Sequence, residues 1–185
     1  MEFQQVIEAR RAYRSLDPFP ITPELIADLG RAASLSASCF NNQPWRFVFV
    51  HGAESLEALK GCLNPGNEWA RDASMIVAVC SRPDLDCRTQ GRDYYLFDSG
   101  MGTAFLILLA TDRGLVAHPI AGYDEGKAKA VLGVPADLTL ITLVIMGLHQ
   151  PDLKPSLNEK QRAMEAERPA RRAPAEFVFH DRWPA

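Results

Sequence analysis

A chain of 185 residues, 47% hydrophobic and 23% charged, suits one globular domain with a substantial core. Its net charge of −3 gives the molecule as a whole no electrostatic reason to seek nucleic acid or an anionic membrane. The four cysteines (Cys39, Cys62, Cys80, Cys87) show no C-x-x-C pairing; this argues against zinc, and reduced thiols in a cytoplasmic protein are expected.

From the N-terminus, Phe3, Val6, Ile7 and Ala9 to Tyr13 give the apolar spacing of a helix over 2–15, which "LDPFPI" then breaks with two prolines. Thr22-Pro23-Glu24 reads as a helix start, with a hydroxyl cap, proline in the first turn and an acid beside the positive end. "SASCFNNQP" is loop by composition, and Trp45 to His51 follows as a strand, then a short helix near 53–62. "SMIVAVCS", Ser74 to Ser81, is apolar throughout and predicts a central strand, with Cys80 a buried thiol.

Asp98 to Arg113 predicts the buried central helix, closed by Gly114. "HPIAGYD" is read as a loop, "EGKAKAVLGV" as a short helix, and Leu138 to Gly147 as another core strand. The longest apolar runs, "TAFLILLAT" and "TLITLVIMGL", are too short to span a bilayer. The organisation is thus a core over 1–150 and an extension over 151–185, polar and proline-rich until the strand-like "EFVFHDRW". An arm reaching onto a partner subunit would explain that length, and a frayed tail is the alternative.

No G-x-S-x-G elbow or P-loop is present, and four scattered histidines lack metal-ligand spacing, so no metal site is expected. Arg10, Arg11 and Arg14 cluster near the start, with 10 and 14 on one face of the expected helix; Arg168, Arg171 and Arg172 cluster near residue 170. Arginine's planar fork suits phosphate, so the two groups either meet around a small anion or are solvated surface charge.

Four stretches in order carry a family likeness: "EARRAYRSLDPFPIT", "SASCFNNQPWRFVFV", "DSGMGTAFLILLATDRGL" and "HPIAGYD". Together they resemble the nitroreductase family of FMN-dependent oxidoreductases. The resemblance implies an α+β fold, a three-layer α/β/α sandwich around a mainly antiparallel sheet, with the C-terminal strand swapped in a homodimer. It further implies FMN bound between subunits, NADH or NADPH as co-substrate, and a nitroaromatic, quinone or similar small electron acceptor. Carried over residue by residue, Arg10, Arg11 and Arg14 match the phosphate and ribityl anchor, with Ala12 replacing the usual serine. Ser38, Cys39, Asn41 and Gln43 match a flavin-facing loop that commonly reaches the partner's FMN, anchored by Pro44 and Trp45. Pro119, Ile120, Ala121 and Gly122 match the isoalloxazine-edge loop, Gly122 allowing a close approach. Arg171, with Arg168, matches a second phosphate contact, although Pro169 stands where lysine is usual. Asn67 matches an asparagine that helps bind nicotinamide or substrate, and Tyr94, Tyr95 and Phe97 are placed to wall the pocket or pack the core. No protein acid, base or nucleophile is needed, because the flavin carries the hydride. The alternatives are a flavin-binding or sensing protein without turnover, and a flavin-modifying or dehalogenating member of the family.

Overall fold

The computed structural model describes residues 1–184. In chain order the elements are α1 (Phe3–Ala9), β1 (Leu16–Asp17), α2 (Pro23–Ser34), β2 (Arg46–Val50), α3 (Ala53–Lys60), β3 (Met75–Ser81), β4 (Arg88–Thr89), β5 (Arg92–Asp93), α4 (Tyr94–Asp112), β6 (Leu115–Ile120), α5 (Glu125–Leu132), β7 (Thr139–His149) and α6 (Glu159–Ala166).

The sheet runs β2-β3-β7-β6, with β1 pairing the last two residues of β7, and every pairing is antiparallel. All seven residues of β3 are buried, which is why its sequence shows no alternation. Alternation reappears in what each side chain touches. Ile76, Ala78 and Cys80 face a cluster with Leu56 and Leu59 of α3 and Ala128 of α5. Met75, Val77 and Val79 face Leu29 and Ala33 of α2 and Leu106 and Ala110 of α4. Two helical layers therefore cover the two faces of one sheet, as expected for an α/β/α sandwich.

Several boundaries differ from the sequence reading. α1 stops at Ala9, and Arg10 at φ −57°, ψ 115° turns the chain into an extended segment. Arg10 and Arg14 thus share no helical face. Tertiary contacts decide this: Gln150 N–H donates to Ser15 O at 2.9 Å, and Leu16 pairs with His149. α4 begins at Tyr94, four residues earlier than expected, so Tyr94, Tyr95 and Phe97 occupy its first turn. With 19 residues it is long and apolar enough to cross a bilayer, more than its apolar run suggested. Half of it is buried inside the protein against α2 and β6, the placing of a core helix.

Pro119 and Ile120 are the last residues of β6 rather than loop, and β6 lies at the sheet edge, where a proline's missing N–H is tolerated. α6 occupies part of the segment read as aperiodic, started by a capping box in which Asn158 accepts from Gln161 N–H. "EFVFHDRW" forms no strand within one chain: a single turn at Pro174–Glu176 is followed by Phe177, Val178 and Trp183, all exposed. Trp45 does anchor its loop, packing so tightly on α4 that a Cβ at Gly102 would lie 3.1 Å from its indole.

Candidate functional site

The two arginine clusters meet. Arg10, Arg11, Ala12 and Arg14 line a cavity of about 60 Å³ together with Met164, Arg168, Pro169 and Arg171. Arg168 and Arg171, on either side of Pro169, both reach the cavity.

The segment carrying the first three arginines is held by α6. Arg11 Nη2 donates to Met164 O at 2.8 Å and to Glu165 O at 3.0 Å. Glu165 is buried, and its Oε1 accepts from Arg14 N–H at 2.6 Å while Oε2 accepts from Ser15 N–H at 3.4 Å. Arg168 closes the other side by donating to Glu8 O and, at 3.1 Å, to Arg10 O. Arg11 and Arg168 are therefore spent largely on the scaffold. Among the described residues, the guanidinium groups of Arg10 and Arg14 make no hydrogen bond, and Arg14 lies 5.7 Å from the Trp69 ring centroid.

Electrostatically the cavity is strained toward an anion. Burial lowers the Arg10 pKa, and the charges of Arg168 and Arg171 lower it further. Burial also lowers that of Arg14, against the opposing pull of Glu165. Several cations around one small cavity repel each other, and a phosphate dianion would reverse that sign. The donor set fits a phosphate.

Behind this wall, His118 on β6 stacks on Trp69 at 4.6 Å, and its Nδ1 lies 3.0 Å from Tyr13 O. Burial pushes the His118 pKa down to about 4; the Tyr13 carbonyl opposes this, and Arg14 and Arg10 add to it. A folded pKa below the free value of about 6.5 means the unfolded chain binds the extra proton between those limits. Stability is thus present in full above about pH 6.5 and is lost as pH falls toward 4, by about 3 kcal/mol. Urea midpoints measured across that window are expected to fall for the parent protein and to run flatter for His118→Asn.

Beyond β6, Ala121 is exposed and Gly122 half-buried. The space above Gly122 is taken: a Cβ there would lie 2.2 Å from Asn67 Nδ2, which donates to Gly122 O at 2.8 Å. Asn67 Oδ1 accepts from Trp69 Nε1–H at 3.3 Å. In this structure the close approach at Gly122 is made by Asn67, a brace whose amide is engaged at both ends.

The 38–43 loop lies elsewhere. Pro44 O accepts from Ser81 Oγ–H at 2.9 Å, fixing the loop at the C-terminal end of β3, whereas Ser15 lies beyond its N-terminal end. At ~3.3 Å per residue, the length of β3 alone separates the two groups by roughly 20 Å. None of residues 38–43 lines the arginine cavity.

Within the loop, Ser38 Oγ accepts from Gln43 N–H at 3.0 Å, and Phe40, Asn41 and Gln43 adopt positive φ. Asn41 is exposed, and Gln43 Nε2–H donates to Asn41 O at 3.3 Å. Cys39 is no free thiol: it forms a disulfide with Cys87, with Cα atoms 6.1 Å apart. Folding brings them together because buried Asp98 on α4 accepts from Cys39 N–H at 2.6 Å, and Asn42 Nδ2 donates to Asp86 Oδ1 at 3.2 Å. Burial raises the Asp98 pKa, the Cys39 N–H opposes, and the facing Asp86 carboxyl raises it again. Cys62 and Cys80 stay free and buried; burial pushes the Cys80 thiol up to about 11. On the first turn of α4 close by, Tyr95 is buried, while Phe97 is exposed and meets Tyr94 edge-on at 6.4 Å.

Sequence reading missed Glu165, Trp69, His118, Asp98 and Cys87. Only the apolar surroundings of His118 left a local trace; Glu165, Asp98 and Cys87 act through contacts distant in sequence.

The chain resembles known proteins in sequence and in fold. A 15.4 kDa protein of Mycolicibacterium smegmatis from the ask 5′ region is 35% identical over 131 residues, covering 70% of this chain and 85% of that one. An Archaeoglobus fulgidus protein, named provisionally as an NADH dehydrogenase/NAD(P)H nitroreductase, is 28% identical over 79% of this chain and 84% of its own. A crystal structure described as an oxidoreductase containing FMN superposes with a TM-score of 0.82 at 26% identity, covering 97% of this chain and 91% of that one. The model of the nitroreductase family matches residues 7–148, which take in the end of α1, the arginine segment after it, the 38–43 loop, α4 and nearly all of the sheet, and the chain belongs to that family.

Proposed function

We propose that the chain is an FMN-dependent oxidoreductase that takes reducing equivalents from NADH or NADPH and passes them to a small electron-poor acceptor such as a nitroaromatic or a quinone. The observation that carries this reading is the cavity where Arg10 and Arg14 meet Arg171, cationic and short of counter-charge. FMN when bound supplies hydride acceptance and donation, chemistry that no side chain here provides.

The protein's share is binding, orientation and exclusion. Arg10 and Arg171 hold the phosphate, while Arg14, backed by Trp69, extends positive charge toward the ring system. Ala121 and the end of β6 offer backbone beside the ring edge, with Asn67 fixing their path. Nicotinamide and acceptor would use the same open face in turn, which makes the kinetic order ping-pong.

The separation of the two residue groups supports a homodimer. If Ser38, Asn41 and Gln43 reach a flavin held by arginines, that flavin sits on a second copy, because the loop and the arginines of one chain lie at opposite ends of β3. Phe40, 92% exposed, and the uncovered Phe177 and Trp183 supply apolar surface for such a contact.

The test is spectroscopic. Protein loaded with FMN is mixed anaerobically with NADH or NADPH, and the flavin band near ~450 nm is expected to bleach and then recover on addition of a quinone. A band that persists would leave a flavin carrier and remove the reductase reading.

A further inference from the structure

The cluster that ties Cys39 of the 38–43 loop to Cys87 supplies no group that the proposed hydride chemistry needs. Cys39 Sγ, Cys87 Sγ and a carboxylate oxygen of Asp86 all lie within 4.8 Å of one another, each half-buried. Asp86 Oδ1 is satisfied by Cys87 N–H at 2.8 Å and by Asn42, but buried Asp86 Oδ2 accepts from no N–H group, and its one neighbour able to share a proton is Asp98. Facing it is the carboxyl of Asp98, only 1% exposed. Two acceptors facing one another beside two sulfurs, with no basic side chain among their hydrogen-bond partners, is an arrangement short of positive charge.

We propose that Cys39, Cys87 and Asp86 form a second site that binds a divalent cation of the zinc class when the two sulfurs are reduced, and cannot bind it when they form the disulfide. Donor chemistry and size both suit zinc. Two thiolates with one or two carboxylates make a mixed sulfur–oxygen set that favours Zn²⁺ over Mg²⁺ or Ca²⁺. Tetrahedral zinc with bonds of about 2.0–2.3 Å places its ligands roughly 3.3–3.8 Å apart, inside the spread already present. Only the sulfurs must part, by roughly 1.5–2 Å from bonding distance. Asp98 or water fills the fourth position.

The redox step is ordinary thiol–disulfide exchange. A dithiol reductant attacks one sulfur and is released as its own disulfide; two electrons and two protons pass to Cys39 and Cys87. Cation binding then expels the two thiol protons. Because Cys39 heads the loop and Cys87 precedes the β4–β5 hairpin, the loop is tethered both by the disulfide and by the cation. It is released only in the reduced, cation-free protein.

The test compares the two redox states of the intact chain, independently of flavin. Protein reduced with dithiothreitol and desalted under nitrogen is titrated with Zn²⁺, and with Co²⁺ as a spectroscopic probe. One equivalent of Zn²⁺ per chain is expected at micromolar protein, with thiolate-to-cobalt charge-transfer absorption. The oxidised protein is expected to bind at least 100-fold more weakly. Cys39→Ser and Asp86→Asn are each expected to weaken binding tenfold or more, and Cys62→Ser, which alters a buried thiol elsewhere, to leave it unchanged. The proposal is overturned if reduced wild-type protein takes up no stoichiometric metal, or takes it up equally when oxidised; neither comparison depends on a variant that folds.

Discussion

Replacing Arg10 with alanine is expected to weaken FMN binding by about 10- to 100-fold while leaving the melting temperature of the apoprotein unchanged or slightly raised. The two effects have opposite signs because Arg10 works against the apo fold and for the ligand. Its charge is partly buried and repelled by Arg168 and Arg171, so removing it relieves the empty cavity. With a phosphate present, the same guanidinium makes charge-assisted hydrogen bonds of about 1.5–3 kcal/mol, and each ~1.4 kcal/mol is a factor of ten. Fluorescence titration with FMN reads the first effect and thermal melting the second. Arg31→Ala, on the exposed end of α2, serves as the charge control. A loss below about twofold, with Arg31→Ala equal to it, would make Arg10 surface charge and move the phosphate elsewhere.

Glu165→Ala is expected to cost about 2–3 kcal/mol of stability and to loosen FMN binding with it. The carboxylate is buried and accepts from the backbone N–H groups of Arg14 and Ser15, and His149 Nε2 lies 3.5 Å away. Truncation leaves those donors without a partner in a site that water does not readily enter. Glu165→Gln keeps one acceptor oxygen for Arg14 and is expected to fall between alanine and the parent. Urea unfolding measures the stability and FMN titration the coupling. If Glu165→Ala unfolds within about 0.5 kcal/mol of wild type, the residue does not pin the arginine segment.

The sequence revealed most where local pattern and tertiary environment agree. β3 read as a strand because all its residues are buried, and α2 read as a helix because its Thr22 cap and Pro23 start need nothing beyond the neighbouring turn. Arg10 to Arg14 are different: apolar spacing favours continued helix, but Glu165 and the end of β7 offer the backbone better partners in extended form. The clusters were legible as two groups of three arginines, and their meeting around a small anion was one of the two readings the sequence offered, yet the helical face that would join Arg10 and Arg14 does not exist. Asn67 and Gly122 were singled out separately, and the fold makes them neighbours joined by a hydrogen bond that no sequence spacing shows. Cys39 and Cys87 escaped because cysteine arithmetic looks for short spacings, and these two are brought together by Asp98 and Asn42 across 48 residues. The tail residues Phe177 to Trp183 have strand-like composition, but a strand needs an edge to pair with, and within one chain they find none.

The clasp between the arginine segment and α6 joins residues as far apart as Arg11 and Glu165, 154 positions along the chain. During synthesis the first half of the anion cup leaves the ribosome long before the second, and at about 5–20 residues per second the wait is on the order of 10–30 s. Through that interval α2, β2 and β3 can associate, but the cup has no far wall. If that cup holds the flavin phosphate as proposed, cofactor loading is a late event, available only to a chain whose sheet has already closed around β7, and a nascent chain halted before α6 is expected to emerge colourless.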